Sequence, residues 1–143
     1  MLQAITNLTE EIVRLLRDDP VRPEIPAEQR VNTNSRIYVL KDGDVTKAVT
    51  CVKFLDIVPA AVEEMSREIA SATTAVFYTI WSYAPGAGRD LIREAQKSIE
   101  AEFPGIKTYV TLSPKTEMAR RFHLKNGAGV YRENLDTINY IYK

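Results

Sequence analysis

Two side chains near the carboxyl terminus, Ser113 and His123, have the types and the setting that acid–base chemistry requires. A β-rich run ends at Ser113-Pro114, a helical run follows, and His123, the only histidine, lies near the end of that helix. A hydroxyl group at a strand tip can bind a carboxylate, and an imidazole with a pKa of ~6.5 can donate a proton near neutral pH. We therefore take residues 108–130 as the first candidate catalytic segment.

Each of these residues also has a purely structural interpretation. Ser-Pro is typical of a helix N-terminus, Asn126-Gly127 of a helix C-terminus, and a histidine in a last turn is favoured by the helix dipole. If residues 113–123 formed one helix, a rise of ~1.5 Å per residue would place Ser113 about 15 Å from His123. Three alternatives follow. The helix begins later, near Thr116; or the two side chains act on different parts of a ligand; or Ser113 is only a cap.

A second candidate site is the glycine-rich turn formed by Gly86, Ala87, Gly88 and Arg89, between a buried strand and an amphipathic helix. Free amides at a helix start, uncovered by side chains, can bind a pyrophosphate, and Arg89 could add a charge-assisted contact. The alternative is a turn that merely needs glycine. The basic residues of the following helical run form a solvated face or meet nucleotide phosphates: Lys115, Arg120, Arg121 and Lys125.

The remaining segments must position these residues. Periodicity and turn signals predict a helix over residues 1–19 capped by Thr6 or Thr9, then an extended loop over residues 20–29. Asp42-Gly43 predicts a hairpin between strands at residues 35–40 and 47–55. Further helices are expected at residues 57–70 and 90–103, and further strands at residues 74–82, 106–112, 129–131 and 137–142. This order predicts an α+β fold whose mixed sheet includes a helical crossover between residues 74–82 and 106–112.

Composition and charge restrict the function classes. A chain of 143 residues fits one domain, residues 1–143. Nineteen basic residues balance nineteen acidic ones, so the net charge gives no reason to expect nucleic acid or a membrane surface as a partner. Cys51 is the only cysteine, so no internal disulfide can form. We therefore expect a cytoplasmic protein.

The order of elements and two motifs resemble the GNAT superfamily of acyl-CoA enzymes. Residues 83–88, YAPGAG, match the glycines of the Gln/Arg-x-x-Gly-x-Gly/Ala motif but not its first position. The helix after the next strand resembles the family's N-x-x-A-x-x-L-Y-x-K-x-G pattern, with His123 at the place of the tyrosine general acid and Thr116 at that of the asparagine. The resemblance implies a GNAT fold whose splayed central strands bind coenzyme A through Tyr78, Thr79, Ile80, Gly86, Ala87, Gly88, Arg89, Thr116 and Lys125.

A narrower resemblance, over about residues 75–131, is to the catalytic domain of malonyl-CoA decarboxylases. FYTI, LI, EFP, TLSP and FHLKNGA occur here in the order of that family. Its LSP serine and FH histidine are catalytic, which implies Ser113 and His123 as the catalytic pair. The decarboxylases carry a long insertion between these two motifs, and this chain joins them directly.

The resemblance implies an acyl-CoA substrate, no metal, and conversion of malonyl-CoA to acetyl-CoA and CO2. Backbone amides near Tyr78, Thr79 and Ile80 would serve the thioester oxygen, Ser113 the departing carboxylate, and His123 would supply the proton.

Two alternatives remain. One is acetyl transfer from acetyl-CoA to an amine or protein, with a base among acids such as Glu28, Glu133 and Asp136. The other is a non-catalytic module that binds coenzyme A or a partner. The short chain leaves a homodimer through the sheet edge open.

Overall fold

A mixed sheet of eight strands crosses the protein, and the computed structural model describes residues 1–143. The strands are β1 (Leu2–Ile5), β2 (Ser35–Asp42), β3 (Val45–Leu55), β4 (Thr74–Ser82), β5 (Thr108–Thr111), β6 (Ser113–Pro114), β7 (Gly129–Glu133) and β8 (Thr137–Tyr142). The helices are α1 (Glu10–Leu16), α2 (Ala87–Glu102) and α3 (Glu117–Lys125). The sheet order is β1-β2-β3-β4-β5-β8-β6, with β7 paired to β8. None of these helices is both long and apolar enough to cross a membrane.

The predicted hairpin, central strand and crossover helix are confirmed. Gly43 turns the hairpin with a φ of 62°, a conformation that glycine adopts without strain. β4 has the predicted bounds and is buried on both faces, because α2 packs on one face and α1 with its neighbouring loops on the other. β4 and β5 are parallel, as a helical crossover requires.

Two helix predictions are wrong in part or in whole. Residues 1–19 form a strand, β1, followed by a shorter helix, α1. Leu2–Ile5 is a strand because it pairs with the edge of β2, and the Thr9 side chain, one of the two predicted caps, caps α1. Residues 57–70 hold only a short 3-10 helix, Val62–Ser66. Side chains of β8 bind the carbonyl groups of Pro59 and Ala60, and this anchors the segment as an extended loop.

β4 and β5 separate partway along their length, which creates a fork in the sheet. Their pairing ends at Phe77 and Thr111, and the last contact is a hydrogen bond of 3.2 Å from the Leu112 amide to the Phe77 carbonyl. Just beyond, β4 bulges against β3: Cys51 pairs with Thr79 and Val52 with Phe77, which leaves Tyr78 as the extra residue. A bulge bends its strand, so β4 departs from β5 at this point.

A buried ion pair attaches the loop after α1 to the forked strand. Asp19 Oδ2 accepts a hydrogen bond of 2.7 Å from Arg30 Nη1, and the two side chains are 0% and 1% exposed. Asp19 Oδ1 accepts from the Thr79 hydroxyl at 2.6 Å and from the amides of Val21 and Arg22. Burial alone would raise the pKa of Asp19, but these hydrogen bonds together lower it.

We predict that Asp19→Asn destabilises the fold by about 3 kcal/mol or more, because it leaves the Arg30 charge buried without a counter-ion. Urea denaturation followed by circular dichroism would measure the loss. The control is Glu117→Gln, which removes the exposed i,i+4 pair with Arg121 and should cost less than about 0.5 kcal/mol. Equal losses in the two variants would contradict the assigned role of the buried pair.

Candidate acyl-CoA site

His123 lies on the buried face of α3, among aromatic side chains and not at the surface. The side chain is 4% exposed. Its ring stacks on Tyr140 at 4.9 Å between centroids and meets Phe122 and Tyr142 edge-on. Nδ1 forms a 2.6 Å hydrogen bond with the Tyr142 hydroxyl, and no hydrogen bond within the chain involves Nε2. The ring therefore has one fixed nitrogen and one nitrogen free for a ligand.

Burial changes the acid strength expected for His123. A hydrated imidazole has a pKa of ~6.5, but removal from water disfavours the charged ring and lowers the pKa of His123 to about 4. In the free protein the imidazole is therefore neutral at pH 7. A proton transfer from His123 must start from a neutral N–H group and not from imidazolium.

Ser113 is a strand residue and not a helix cap. It pairs with Ile138 in β8, and its Oγ donates a 2.8 Å hydrogen bond to Thr111 Oγ1. The cap of α3 is Thr116, whose hydroxyl accepts from the Ala119 amide at 3.2 Å. Of the three alternatives left open by the sequence, the later helix start is confirmed and the capping role of Ser113 is wrong.

Ser113 and His123 lie on the same face of the sheet but do not contact each other through a hydrogen bond. Ser113 is next to Ile138, whereas His123 covers Tyr140 and Tyr142, further along β8. Two residues of an antiparallel strand span about 7 Å. This offset fits two groups that act on different parts of one ligand better than a hydrogen-bonded catalytic pair.

The glycine-rich turn opens α2 beside the fork. Gly86 is the N-cap of α2, with a φ of 77° and no side-chain cap. A Cβ atom at Gly88 would lie 2.9 Å from the Phe122 ring and 3.9 Å from Ile80, so the first turn of α2 contacts both α3 and β4. A side chain at position 88 would therefore need the Phe122 ring to shift. The Arg89 side chain is half exposed, and its Nε lies 3.4 Å from Oδ1 of Asp90. In the uncapped first turn the Ala87 amide binds the Ala84 carbonyl, and the amides of Gly88 and Arg89 remain free.

The structure brings some of the predicted cofactor residues together and separates others. Ile80 and Gly88 converge with Phe122, whereas Tyr78 packs against the opposite core and Thr79 binds Asp19. Ala87 is buried under the same turn, and the Thr116 hydroxyl is engaged in its cap. Lys125 is exposed in the last turn of α3, one turn beyond Phe122.

Two of the three acidic candidates for an amine-activating base belong to the β7–β8 hairpin. Glu28 lies in the short 3-10 helix Ala27–Gln29, Glu133 ends β7, and Asp136 lies in the turn before β8; all three are exposed. Two partners of His123 were not predicted from the sequence: Tyr142, which binds its Nδ1, and Tyr140, which stacks on its ring. The alternation of β8 could have indicated that both face one side of the sheet.

Comparison with known proteins gives structural similarity only. The sequence matches no family model and no curated protein. The malonyl-CoA decarboxylase from Agrobacterium vitis is 25% identical with a TM-score of 0.70, over 85% of this chain and 35% of the decarboxylase. This chain thus spans about a third of that relative's length. Malonyl-CoA decarboxylases from two other organisms have a similar structure.

Smaller proteins match over their whole length. The N-acetyltransferase PseH from Campylobacter jejuni is 13% identical with a TM-score of 0.64, over 100% of this chain and 96% of PseH. The E. coli protein YhhK, bound to coenzyme A, is 15% identical with a TM-score of 0.65, over 99% of this chain and 98% of YhhK. The fold predicted from the sequence is confirmed.

We predict that the single histidine shows no titration in the folded protein until the pH approaches about 4. Because the unfolded ring binds a proton near ~6.5, acidification between these values favours unfolding, by about 3 kcal/mol in total. NMR of the His123 ring protons against pH would give the midpoint, and the same titration in urea is the control. A folded-state midpoint near 6.5 would show a hydrated ring and contradict the prediction.

Proposed function

We propose, on the premise of a GNAT-like fold related to that of the malonyl-CoA decarboxylases, that this chain binds an acyl-CoA thioester in the fork between β4 and β5. The observation that carries the proposal is the convergence of three features at one place. Strand pairing ends at Phe77, the uncapped first turn of α2 lies over Ile80, and Phe122, the neighbour of His123, packs against Gly88. In this proposal the pantetheine arm lies between the separating strands, and the free amides of the first turn of α2 bind the pyrophosphate.

The reaction we propose is decarboxylation of a malonyl thioester. The bond between the α-carbon and the carboxylate breaks, CO2 leaves, and the electron pair remains as a thioester enolate. Backbone amides near Tyr78, Thr79 and Ile80, beyond the last pairing with β5, would stabilise the enolate oxygen. A proton then adds to the α-carbon and gives acetyl-CoA.

His123 would supply that proton through Nε2 while the Tyr142 hydroxyl holds Nδ1. Because a thioester enolate is strongly basic, a neutral N–H donor within hydrogen-bond reach can protonate it, so the low pKa of His123 is compatible with this role. Ser113, offset along the same face, would meet the carboxylate by turning its hydroxyl from Thr111. Water restores the proton to His123 between turnovers.

A second candidate function is acetyl transfer to an amine or protein. It is supported by the fold, which this chain shares with the N-acetyltransferase PseH over 100% of its residues. The same fork would hold acetyl-CoA, and a donor near His123 would protonate the leaving thiolate. Of the acidic candidates for the base, Glu133 pairs with Ile138 of β8. The same strand also carries Tyr140 and Tyr142 beside His123. We place this function second because the serine and histidine motifs together resemble those of the decarboxylases.

We predict that incubation with malonyl-CoA yields acetyl-CoA and CO2, and that His123→Gln lowers kcat about 100-fold or more, the usual loss when a proton donor is removed. Glutamine retains a polar partner for Tyr142, and circular dichroism would verify the fold. Leu124→Gln, at the neighbouring and more exposed position of α3, is the control. Wild-type activity in His123→Gln would overturn the assignment; turnover of acetyl-CoA with amines but not of malonyl-CoA would favour the second candidate.

We predict that Arg89→Gln weakens coenzyme A binding about three- to tenfold, because it removes a charge beside the uncapped turn. Calorimetry with coenzyme A and with pantetheine, which lacks the pyrophosphate, would measure the effect. Only coenzyme A binding should change. Lys97→Gln, on an exposed part of α2 two turns away, is the control. Coenzyme A binding without either activity would point to a non-catalytic module, and no binding at all would refute the proposed site.

A further inference from the structure

Arg22 places a guanidinium group at the point where β4 and β5 separate. Its Nη2 donates a 3.0 Å hydrogen bond to the carbonyl of Leu112, and the amide of the same Leu112 makes the last contact with Phe77. Leu112 packs in the core on the α1 side of the sheet. Arg22 therefore approaches the fork from the face opposite to α2, α3 and His123.

The guanidinium of Arg22 has binding capacity that the chain itself does not use. Nε is buried without a hydrogen-bond partner, and the side chain forms no ion pair. Burial lowers the pKa of Arg22, and Glu24 and Asp19 offset this only in part. Neither acid contacts the guanidinium, since Asp19 pairs with Arg30 and Glu24 is exposed. A buried, unpaired N–H group on a charged side chain is unfavourable, and a carboxylate would satisfy it.

The backbone around Arg22 is held rigidly. Its amide donates to Asp19 Oδ1 at 3.0 Å, and its carbonyl accepts from Arg30 Nη2 at 2.7 Å. The buried Asp19–Arg30 pair therefore fixes Arg22 from both sides and, through Thr79, fixes it relative to β4. A group held in this way is already placed for a ligand, which reduces the entropy lost on binding.

We propose that Arg22 is the specificity residue for the acyl group, and that the fork selects acyl-CoA thioesters whose acyl chain ends in a carboxylate. This inference rests on the proposed function. The nucleotide, the pantetheine and the reacting α-carbon would lie on the α2 and α3 side, so only the terminal carboxylate would enter the fork. Ser113 would meet it from the α2 side, and Arg22, hydrogen-bonded to the carbonyl of the preceding Leu112, would meet it from the α1 side. There the planar guanidinium matches a carboxylate in charge and shape.

Arg22 would act in substrate binding and not in the chemical step. An ion pair to the carboxylate stabilises the bound substrate but must be lost as CO2 departs, so it does not favour the transition state over the ground state. Arg22 would therefore contribute to binding and orientation. In malonyl-CoA turnover, Arg22→Met should raise KM with a smaller change in kcat.

The test compares two unreactive thioethers of coenzyme A that differ only at the acyl end, S-carboxyethyl-CoA and S-propyl-CoA. Calorimetry on the wild-type chain should show about tenfold or tighter binding of the carboxyethyl compound, as expected for a charge-assisted contact. Arg22→Met should remove this preference and leave the affinity for the propyl compound nearly unchanged. Arg17→Met, which removes an exposed arginine at the end of α1, is the control.

The outcomes separate the two proposals. Equal affinity of the wild-type chain for both compounds, or a preference that persists in Arg22→Met, overturns the role of Arg22 alone. No binding of either compound overturns the proposed function and this inference with it. If circular dichroism shows that Arg22→Met does not fold, Arg22→Lys replaces it, because lysine retains the charge without the planar group. A weakened preference for the carboxyethyl compound in Arg22→Lys supports the inference, and an undiminished preference contradicts it.

Discussion

Beyond Phe77, β4 pairs with β3 alone, because the chain after β5 continues as β6, which pairs with β8. Buried N–H and C=O groups need hydrogen-bond partners, and a strand that loses its neighbour inside a sheet leaves such groups available. The rest of the structure can be understood from this separation. The bulge at Tyr78 bends β4 away, α2 begins immediately beyond the end of β4, and α3 covers the adjacent part of β8.

The two faces of the fork differ in chemistry. On the α2 side the lining is aromatic, and His123 is buried among Phe122, Tyr140 and Tyr142 with a lowered pKa. On the α1 side it is ionic, with the Asp19–Arg30 pair and the guanidinium of Arg22. A dry aromatic face suits proton transfer to carbon, and a fixed cation suits recognition of an anion. An acyl-CoA whose terminal carboxylate enters the fork would meet both environments.

Packing brings the glycine-rich turn close to His123 although Gly88 and His123 are 35 positions apart in the sequence. Phe122 occupies the space that a side chain at position 88 would need. This contact sets the position of α3 relative to α2 and thereby places the adjacent His123 on Tyr140. A larger residue at position 88 would displace the Phe122 ring, so the glycine has a packing role whether or not the turn binds a pyrophosphate.

Local sequence determined the elements whose signals are local. The β-branched and aromatic run of β4, the Asp42-Gly43 turn and the periodic apolar positions of α2 fix their own conformations, and a strand–helix–strand order implies parallel strands. These elements and the motif resemblance were sufficient to predict the fold. Tertiary structure alone decided the rest. β1 exists because β2 offers it an edge, and Asp19 meets Arg30 and Thr79 only once the loop folds over β4. The spacing of Ser113 and His123 could suggest chemistry but not burial, because a pKa depends on the side chains that surround a group and not on its neighbours in sequence.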